Sequence, residues 1–473
     1  MENLDLTTAP DGGDMSIEGD DETPPADLDS ADTPSEGDMS LVGEGLAPPA
    51  DLDSADVPDE RATEDGRPYE VGDSFDETGN ETGNETAPEN DDPLDVDISL
   101  ASISEPSEPN TDPERLAKFL NPTAITAITD ETYIPITSVE DLLKIGDTNH
   151  ENYTLGSRYY LTQDIDLTDV DWLPIGTSAL PFTGTFDGQG YAIKNLALTE
   201  TRIAGYDNSS NPHSAGLFGF VGSGATIKNV GLENTAININ RAESGIYVTV
   251  GALVGFAYIA NASTAGILIE NCYNEGDVAA TASSSFYLDV GGILGGNVVF
   301  NFNGNGPTHG VAVKYCRNAG SVAATNTNTL GATFVGGVCG GIERRSSIEN
   351  CQNAATVFGT STDQRSSSAA GICARFLYAV AGPSIVAYCE NTGAITAGAE
   401  AALPSSAAAG GIIGPSGGNV TVRACTNGGA VSATASGGST AAGIYIGGPS
   451  EPTDISACLN TGAVTATSST SNT

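Results

Sequence analysis

Basic residues are scarce in this chain of 473 residues, which holds 17 lysines and arginines against 62 aspartates and glutamates. The resulting net charge of −45 excludes nucleic acid as a partner, because a nucleic-acid-binding surface needs clustered cations. Runs of apolar residues are also short. None approaches the ~20 residues of a transmembrane helix, so no membrane span is expected. Met1 is followed by acidic residues rather than a basic and apolar leader, so no signal peptide is visible.

Residues with catalytic or metal-binding chemistry are few. The three histidines, His150, His213 and His309, lie in no zinc-peptidase pattern, and the chain has neither a nucleophile elbow nor a phosphate-binding lysine loop. The eight cysteines show no two-residue spacing of the kind found in zinc or redox motifs. The sequence therefore predicts no catalytic residue, no cofactor and no metal site, and the protein is not expected to be an enzyme.

Helical periodicity is also lacking, and a short repeat takes its place. Six copies of one pattern share a β-branched residue three places before a cysteine, an asparagine two places after it, and Val or Ile six places after it. Their cysteines are Cys272, Cys316, Cys351, Cys389, Cys425 and Cys458. A unit repeated in this way indicates a stacked array in which each copy buries its apolar face against the next.

A glycine-flanked element precedes each copy, as in Gly292-Ile293-Leu294-Gly295 and Gly337-Val338-Cys339-Gly340. Val- and Ile-rich runs broken by Gly, Asn and Ser are typical of short strands and turns. Each unit thus offers three strand-length pieces: the glycine-flanked one, the one ending at cysteine and the one starting at the later Val or Ile. The predicted fold is all-β, a right-handed parallel β-helix with three strands per coil.

Stacking of the coils predicts the chemistry of three columns. The asparagines should form an amide ladder at a turn whose backbone is left-handed. The cysteines should be buried free thiols, since straight-stacked side chains seldom reach the torsion of a disulfide. Two residues before each cysteine the column alternates in sign through Lys228, Glu270, Lys314 and Glu349. This alternation favours the correct register over a slipped one.

Residues 136–256 resemble the opening of GLUG-motif proteins, which are bacterial surface and secreted chains named for a Gly-Leu-apolar-Gly repeat. Gly216-Leu217-Phe218-Gly219 matches that repeat, and Trp172-Leu173-Pro174-Ile175-Gly176 matches the segment that precedes it. The resemblance implies a parallel β-helix outside a bacterial cell. In the same region, Thr137 and Glu140 form a capping-box pattern that predicts a helix over 137–146, covering the open end of the first coil. Trp172 is expected to pack there, with ligand stacking as the alternative.

Three domains are expected. Residues 1–112 hold 35 acidic residues and two arginines, a net charge of −33, and are rich in Pro, Ser, Thr and Gly, with a 24-residue duplication. Such a segment buries too little apolar surface to order, so it is predicted to be a disordered linker. Residues 113–200 are assigned to the N-terminal cap and first coils, and 201–473 to the repeats. The last repeat stops near the end of the chain without a capping element, which suggests part of a longer exported polypeptide.

The leading function is a non-catalytic, secreted or surface-displayed adhesin or scaffold that binds a host-surface protein or a glycan. Loop aromatics are the candidate contact residues: Phe286, Tyr287, Phe300, Phe302, Phe376 and Tyr378. A polysaccharide lyase or glycosidase on the same fold is the alternative. It would need two carboxylates about 5–10 Å apart, for which Asp164, Asp166, Asp169 and Asp171 are the candidates. A pure spacer to a missing partner domain is the third possibility.

Overall fold

A computed structural model describes residues 108–199, 213–242, 245–260, 263–299, 309–328, 330–343, 345–362, 366–377, 384–399, 405–416, 420–447 and 454–468. The disordered linker expected over 1–112 therefore lies almost wholly outside the described residues. Within them the chain winds as a parallel β-solenoid whose stacked coils form five parallel sheets. Each strand pairs in parallel with its equivalents in the coils before and after it, as the repeat predicted.

Sheets 1 and 2 carry the strands on either side of the repeated cysteine. The strands of sheet 1, in spatial order, are Tyr133–Ile136, Arg158–Leu161, Thr185–Asp187, Thr226–Lys228, Ile267–Glu270, Val311–Lys314, Ser347–Glu349, Ser384–Ala387, Val420–Arg423 and Asp454–Ser456. Those of sheet 2 are Ile165–Asp166, Ala192–Lys194, Gly231–Glu233, Tyr273–Asn274, Arg317–Asn318, Gln352–Asn353, Glu390–Asn391, Thr426–Asn427 and Leu459–Asn460.

Sheets 3, 4 and 5 complete each coil. Sheet 3 contains Ala197–Thr199, Ala236–Arg241, Asp277–Ala282, Val322–Asn326, Val357–Ser361, Ile395–Ala399, Val431–Ala435 and Val464–Ser468. Sheet 4 contains His213–Ala215, Gly245–Gly251, Ser285–Gly291, Ala332–Gly336, Ser367–Ala370, Ala407–Gly410 and Ser439–Ala442. Sheet 5 contains Phe218–Gly222, Val254–Ile259, Leu294–Val299, Cys339–Glu343, Cys373–Leu377, Ile413–Ser416 and Tyr445–Gly447.

A full coil thus has five strands, and the expectation of three was wrong. The glycine-flanked element is a corner rather than a strand: the chain bends at Gly292 and Ile293, between a strand of sheet 4 and a strand of sheet 5. The two residues after each cysteine form a further short strand, which is too brief to give a periodic signal in the sequence. Short strands joined by sharp bends carry the chain around an apolar interior.

The asparagine ladder is confirmed. Each Nδ2 donates to the Oδ1 of the asparagine in the next coil, from Asn274 through Asn318, Asn353, Asn391 and Asn427 to Asn460, over 2.6–3.0 Å. Each Nδ2 also donates to the carbonyl two residues ahead in its own coil. A Cβ at Gly292 or Gly337 would overlap the side chain of the next ladder asparagine along the chain, Asn318 or Asn353. The ladder therefore requires glycine at the corner.

The left-handed backbone lies elsewhere than expected. It falls on the residue immediately before each cysteine, with φ of 50–57° at Asn271, Tyr315, Asn350, Tyr388, Ala424 and Ala457, and also at Asn229 upstream. The ladder asparagines lie in strands instead. The asparagine two places after each cysteine therefore serves through its amide hydrogen bonds, and the bend is made by the residue immediately before the cysteine.

All eight cysteines are free thiols, and only Cys458 is not fully buried. In the repeated column each Sγ lies 3.2–3.4 Å from the carbonyl oxygen two residues earlier, as at Cys351 and Glu349. Burial raises the pKa of Cys339 well above its usual range and that of Cys373 to about 12. The protonated thiols of Cys339 and Cys373 behave as small packing residues. The cysteines of the repeated column are free and line the interior, as the repeat predicted.

The charge column is in register. Lys228, Glu270, Lys314 and Glu349 are direct partners on successive strands of sheet 1. Lys314 Nζ lies 3.2 Å from Glu349 Oε1, and Lys228 Nζ lies 3.1 Å from an oxygen of Asp187 one coil earlier. A slip by one coil would place like charges together, so the column stabilises the observed register.

The N-terminal helix is shorter than expected. It spans Val139–Leu143, and its cap is Ser138, whose Oγ accepts from the N–H of Asp141, rather than Thr137. Thr137 instead donates to one oxygen of the Asp141 carboxylate, and Lys144 donates to the other. Leu142 is fully buried at the start of the core. Trp172 is buried as well, and its indole N–H donates to the carbonyl of Leu217, so its packing role is confirmed.

A segment before the first strand crosses the outside of sheet 2. This segment, residues 108–125, is called the strap; it contains a helical turn at Pro113–Leu116 and a 3-10 turn at Pro122–Ala124. Arg115 forms two 2.9 Å bonds with Asp164, and Lys118 bridges Glu233 and Glu275 at 2.8 and 2.7 Å. Phe119 packs edge-on against Tyr273. The strap thus clamps several coils together near the N-terminal end.

Candidate functional site

The predicted contact aromatics have different environments. Phe286 is 44 % exposed, and the adjacent Tyr287 is half-buried on the same strand of sheet 4. Phe300, Phe302 and Tyr378 lie outside the described residues. Two of the predicted residues are thus placed at the lateral surface of the solenoid.

The expectation of surface exposure was wrong for Phe376, which is 1 % exposed and belongs to the apolar core. The sequence places it in a loop because the glycine-flanked element ends just before it. In the structure that element is a corner, and the chain continues from it as the strand Cys373–Leu377. Phe376 therefore occupies an inward position on a strand.

Tyr287 is the middle member of an aromatic row on sheet 4. Its ring stacks on Tyr247 of the preceding coil, with centroids 4.9 Å apart and planes at 15°. On the other side it faces Phe334 of the next coil, at 6.4 Å and 25°. In-register stacking brings Tyr247 and Tyr287 together, since they are direct partners in the sheet, whereas Phe334 is the partner of Asp289 and meets Tyr287 diagonally. All three rings are half-buried.

Missing side chains on sheet 5 make room for a long side chain beside this row. Phe220 and Phe256 occupy one column of that sheet, and Gly296 and Gly341 take the same position in the next two coils. A Cβ at Gly341 would lie 2.8 Å from Nε of Arg375. The side chain of Arg375, which follows in the column, fills the room that the two glycines leave.

Arg375 reaches back over two coils to Asp289. The two side chains form a 2.7 Å ion pair and are 6 % and 4 % exposed. The guanidinium also lies 4.2 Å from the ring centroid of Phe334 and 5.2 Å from that of Tyr287, which are cation–π distances. Burial raises the pKa of Asp289, and the attraction of Arg375 opposes that rise. Burial likewise raises the pKa of Tyr247 to about 12.

Two polar atoms of this cluster have no hydrogen-bond partner in the part of the chain that the structure describes: Asp289 Oδ1 and Arg375 Nε. One is an acceptor and the other a donor, and both are buried. Buried polar groups are normally satisfied by protein, water or ligand. We call this arrangement the aromatic–arginine cleft, defined by Tyr247, Tyr287, Asp289, Phe334 and Arg375.

Two of the four acids considered for glycoside chemistry, Asp164 and Asp166, are engaged in other contacts. Asp164 accepts from Arg115 and from the N–H of Ala192, and it lies 2.7 Å from Lys194 Nζ. Burial alone would raise the pKa of Asp164, but these partners outweigh burial and lower it. Bonds from Asn195 and Thr168 lower the pKa of Asp166 to about 2. A carboxyl group held ionised in this way is poorly suited to act as a general acid.

The sequence predicted one member of the cleft, Tyr287, and missed the others. Asp289 and Phe334 could have been recognised as equivalent positions in the sequence, because each lies two residues before the glycine that ends its sheet 4 strand. The same position holds Thr249 upstream and Ser368 downstream. Arg375 carries no comparable signal, since its partner lies 86 residues away in sequence.

The described residues lack two further features. No group of three or more His, Cys, Asp or Glu side chains there is arranged to hold a metal ion. No helix in the same part of the chain is long and apolar enough to cross a membrane.

Comparisons with known proteins give limited matches. No family model matches the chain. A protein of Evansella cellulosilytica, provisionally named a Gly-rich membrane protein, is 34 % identical over 118 residues, which are 23 % of this chain and 12 % of that protein. The chain therefore matches only a small part of that relative's length. A Bacteroides ovatus crystal structure, provisionally named an immunoglobulin A1 protease, matches 72 % of this chain and 85 % of its own at 16 % identity, with a TM-score of 0.40.

Proposed function

We propose that this protein is a non-catalytic binding module displayed outside a bacterial cell, with the aromatic–arginine cleft as its glycan-binding site. One observation carries the proposal: three half-buried aromatic rings border the buried Arg375–Asp289 ion pair, in which Arg375 Nε and Asp289 Oδ1 have no hydrogen-bond partner among the described residues. Both features lie on the middle coils, where a regular solenoid needs neither.

The chemistry of the cleft fits a sugar. Aromatic rings offer apolar surfaces to the C–H faces of a pyranose, while an acceptor and a donor match a hydroxyl group, which both donates and accepts. A ligand hydroxyl would satisfy Asp289 Oδ1 and Arg375 Nε together. A host-surface protein is the other class of ligand, but the short row of rings is small beside the ~800 Å² per partner of a stable protein interface.

A polysaccharide-processing enzyme remains the alternative function. The ion pairs of Asp164 and the low pKa of Asp166 speak against these two acids as a catalytic pair. Asp289, whose pKa burial raises, is the carboxyl group better suited to proton donation, but Arg375 holds it in an ion pair. Binding without chemical change is therefore the proposed outcome.

The test is to pass the full chain over immobilised oligosaccharides and host-matrix proteins, and to score retention and product release together. Retention of sugars without product is expected, with a loss of about tenfold in affinity for Tyr287→Ala, since truncating a central aromatic contact commonly costs more than 1 kcal/mol. Phe358→Ala is the matched control, because Phe358 is 45 % exposed on sheet 3, away from the cleft.

Each other outcome has a meaning. Released product would support the enzyme and make Asp289→Asn the next variant. Retention only of proteins would replace the glycan with a protein partner. Retention of nothing would favour the spacer. Equal losses for Tyr287→Ala and Phe358→Ala would remove the cleft from the proposal.

A further inference from the structure

A second lateral surface lies at the corner between sheets 1 and 2. The residue before each repeated cysteine turns outward here with a left-handed backbone, and the row reads Asn271, Tyr315, Asn350, Tyr388 along the axis. The row from Tyr315 to Tyr388 is called the tyrosine ridge. It is separate from the aromatic–arginine cleft, which lies on sheets 4 and 5.

Tyrosine is an unfavourable choice at this position. The φ angles of Tyr315 and Tyr388 are 53° and 57°, in a region that asparagine and glycine tolerate and bulky residues rarely adopt. Asparagine occupies the equivalent position at Asn229, Asn271 and Asn350. Core packing does not explain the tyrosines, since Tyr388 is 53 % exposed and Tyr315 is only half-buried. Strained residues that remain exposed point to a surface role.

The spacing of the two tyrosines is defined by the stack. One coil, carrying Asn350, separates them, so their backbones lie about 9.6 Å apart, twice the strand spacing. In an extended β-linked polysaccharide, alternate sugar rings present the same face, and a disaccharide spans a comparable length. Two rings separated by one amide thus match alternate sugars in register, with Asn350 opposite the sugar between them.

Polar side chains flank the ridge on both sides. Lys314 and Glu349 form an ion pair on the sheet 1 side, and Gln352 donates to Glu390 over 3.2 Å on the sheet 2 side. Arg423 lies 5.6 Å from the Tyr388 ring centroid. The flanking charges are mixed in sign, while the chain as a whole carries −45. Polyanions are therefore disfavoured, and an uncharged chain rich in hydroxyl groups is favoured.

The strap limits where such a ligand can lie. The backbone N–H of Asn121 donates to Asn271 Oδ1 over 2.9 Å, so the strap covers the row at Asn271, just before the first tyrosine. At the other end Ala424 and Ala457 take the same position without an aromatic ring. We propose that the tyrosine ridge binds an extended, uncharged polysaccharide that runs parallel to the solenoid axis.

The experiment is affinity electrophoresis of the full chain in gels containing hydroxyethylcellulose, xylan or polygalacturonate. The proposal expects retardation by one or both uncharged polymers. The double variant Tyr315→Asn/Tyr388→Asn should weaken this retardation at least tenfold, because each lost ring is a central contact. Asparagine is native to this position in neighbouring coils, so the double variant should fold and melt at or above the wild-type temperature.

Three controls make the result specific. Tyr388→Phe keeps the ring and should bind as the wild type does, and Phe358→Ala should change nothing. Soluble oligosaccharides of six units should compete at least tenfold better than those of two units, because only the longer ones reach both rings.

The proposal is overturned if no uncharged polymer retards the wild-type chain, or if the double variant is retarded as strongly as the wild type. Retardation by polygalacturonate alone would also overturn it, since that result requires a cationic site. Equal competition by two-unit and six-unit sugars would show that the two tyrosines do not act on one ligand.

Discussion

The middle coils and the last coils share one backbone plan but differ in the side chains attached to it. Through Asn274 to Asn460 the amide ladder continues without change. On the outer column of sheet 4, however, Asp289 and Phe334 give way to Ser368, Ala408 and Thr440. The difference teaches that the ladder and the glycine corners build the scaffold, while the variable columns carry the binding chemistry.

The interior differs between the two ends as well. At the N-terminal end it contains aromatic residues such as Phe182, Phe186 and Phe218, which pack ring against ring. In the last coils alanine takes many inward positions, among them Ala397, Ala409 and Ala433. Less apolar area is buried per coil there, so side-chain burial contributes less to stability and the uniform backbone and amide ladders contribute relatively more.

The largest expected effect comes from breaking the N-terminal core. Phe218→Ala should lower the free energy of unfolding by about 3–5 kcal/mol, because a fully buried ring leaves a cavity. Val431→Ala, in the alanine-rich coils, should cost less, about 1–3 kcal/mol. Urea denaturation followed by far-ultraviolet circular dichroism measures both. Equal losses would contradict the difference between the two ends.

A comparable loss is expected in the cleft. Arg375→Ala removes one partner of a buried ion pair and leaves the Asp289 carboxylate uncompensated, which costs about 3–5 kcal/mol. The additional change Asp289→Asn should recover part of this loss, since no charge is then buried alone. A double-mutant cycle in urea measures the recovery. If the second change adds to the loss, the ion pair is not the reason for the first.

The contribution of a ladder asparagine to the free energy of unfolding should depend on its position in the ladder. Asn353→Ala breaks bonds with Asn318, Asn391 and the Ala355 carbonyl in a buried setting, so a loss of about 2–4 kcal/mol is expected. Asn460 lies at the exposed end of the described ladder, and Asn460→Ala should cost less than about 1 kcal/mol. The same urea titration gives both values. Similar values would show that the ladder is not a buried network.

Acid should act on the strap before it acts on the ladder. Partners lower the pKa of Asp164 and of Glu233 below their ordinary values of 3.8 and 4.5. The stabilisation by these carboxylates is therefore present above those values and is lost as the pH falls below them. The asparagine ladder carries no titrating group. Hydrogen exchange at pH 3 should show a loss of protection, relative to the intrinsic exchange rate at that pH, over 108–125, while 322–326 stays protected. Equal protection of the two segments would contradict this.

Much of the scaffold could be predicted from the sequence, because stacking repeats the same requirement in every coil. The asparagine amides, the thiol column and the charge alternation through Lys314 and Glu349 are each visible as a period. The five-strand coil could not be predicted, since a two-residue strand such as Tyr273–Asn274 has no period of its own. The position of the left-handed residue was missed because Tyr315 and Tyr388 are not residues that normally mark one.

The candidate site was harder to predict for a related reason. Tyr287 stands out as an aromatic residue in a variable segment, but its partner Arg375 lies two coils further on and shares no repeat position with it. Glycines at 296 and 341 create the room, and an absent side chain is a weak signal in a glycine-rich chain. The strap was missed because Arg115 and Lys118 lie beside a long acidic segment, where ion pairing to distant strands is not visible in the sequence.

Binding is proposed to be confined to the lateral surfaces of the middle coils. Hydrogen–deuterium exchange of the full chain, with and without the glycan that it retains most strongly, tests this proposal. Slower exchange is expected over 285–291 and 332–336 for a ligand of the cleft, with no change over 431–435 in the last coils. Protection centred on 431–435, or spread evenly along the solenoid, would contradict the account.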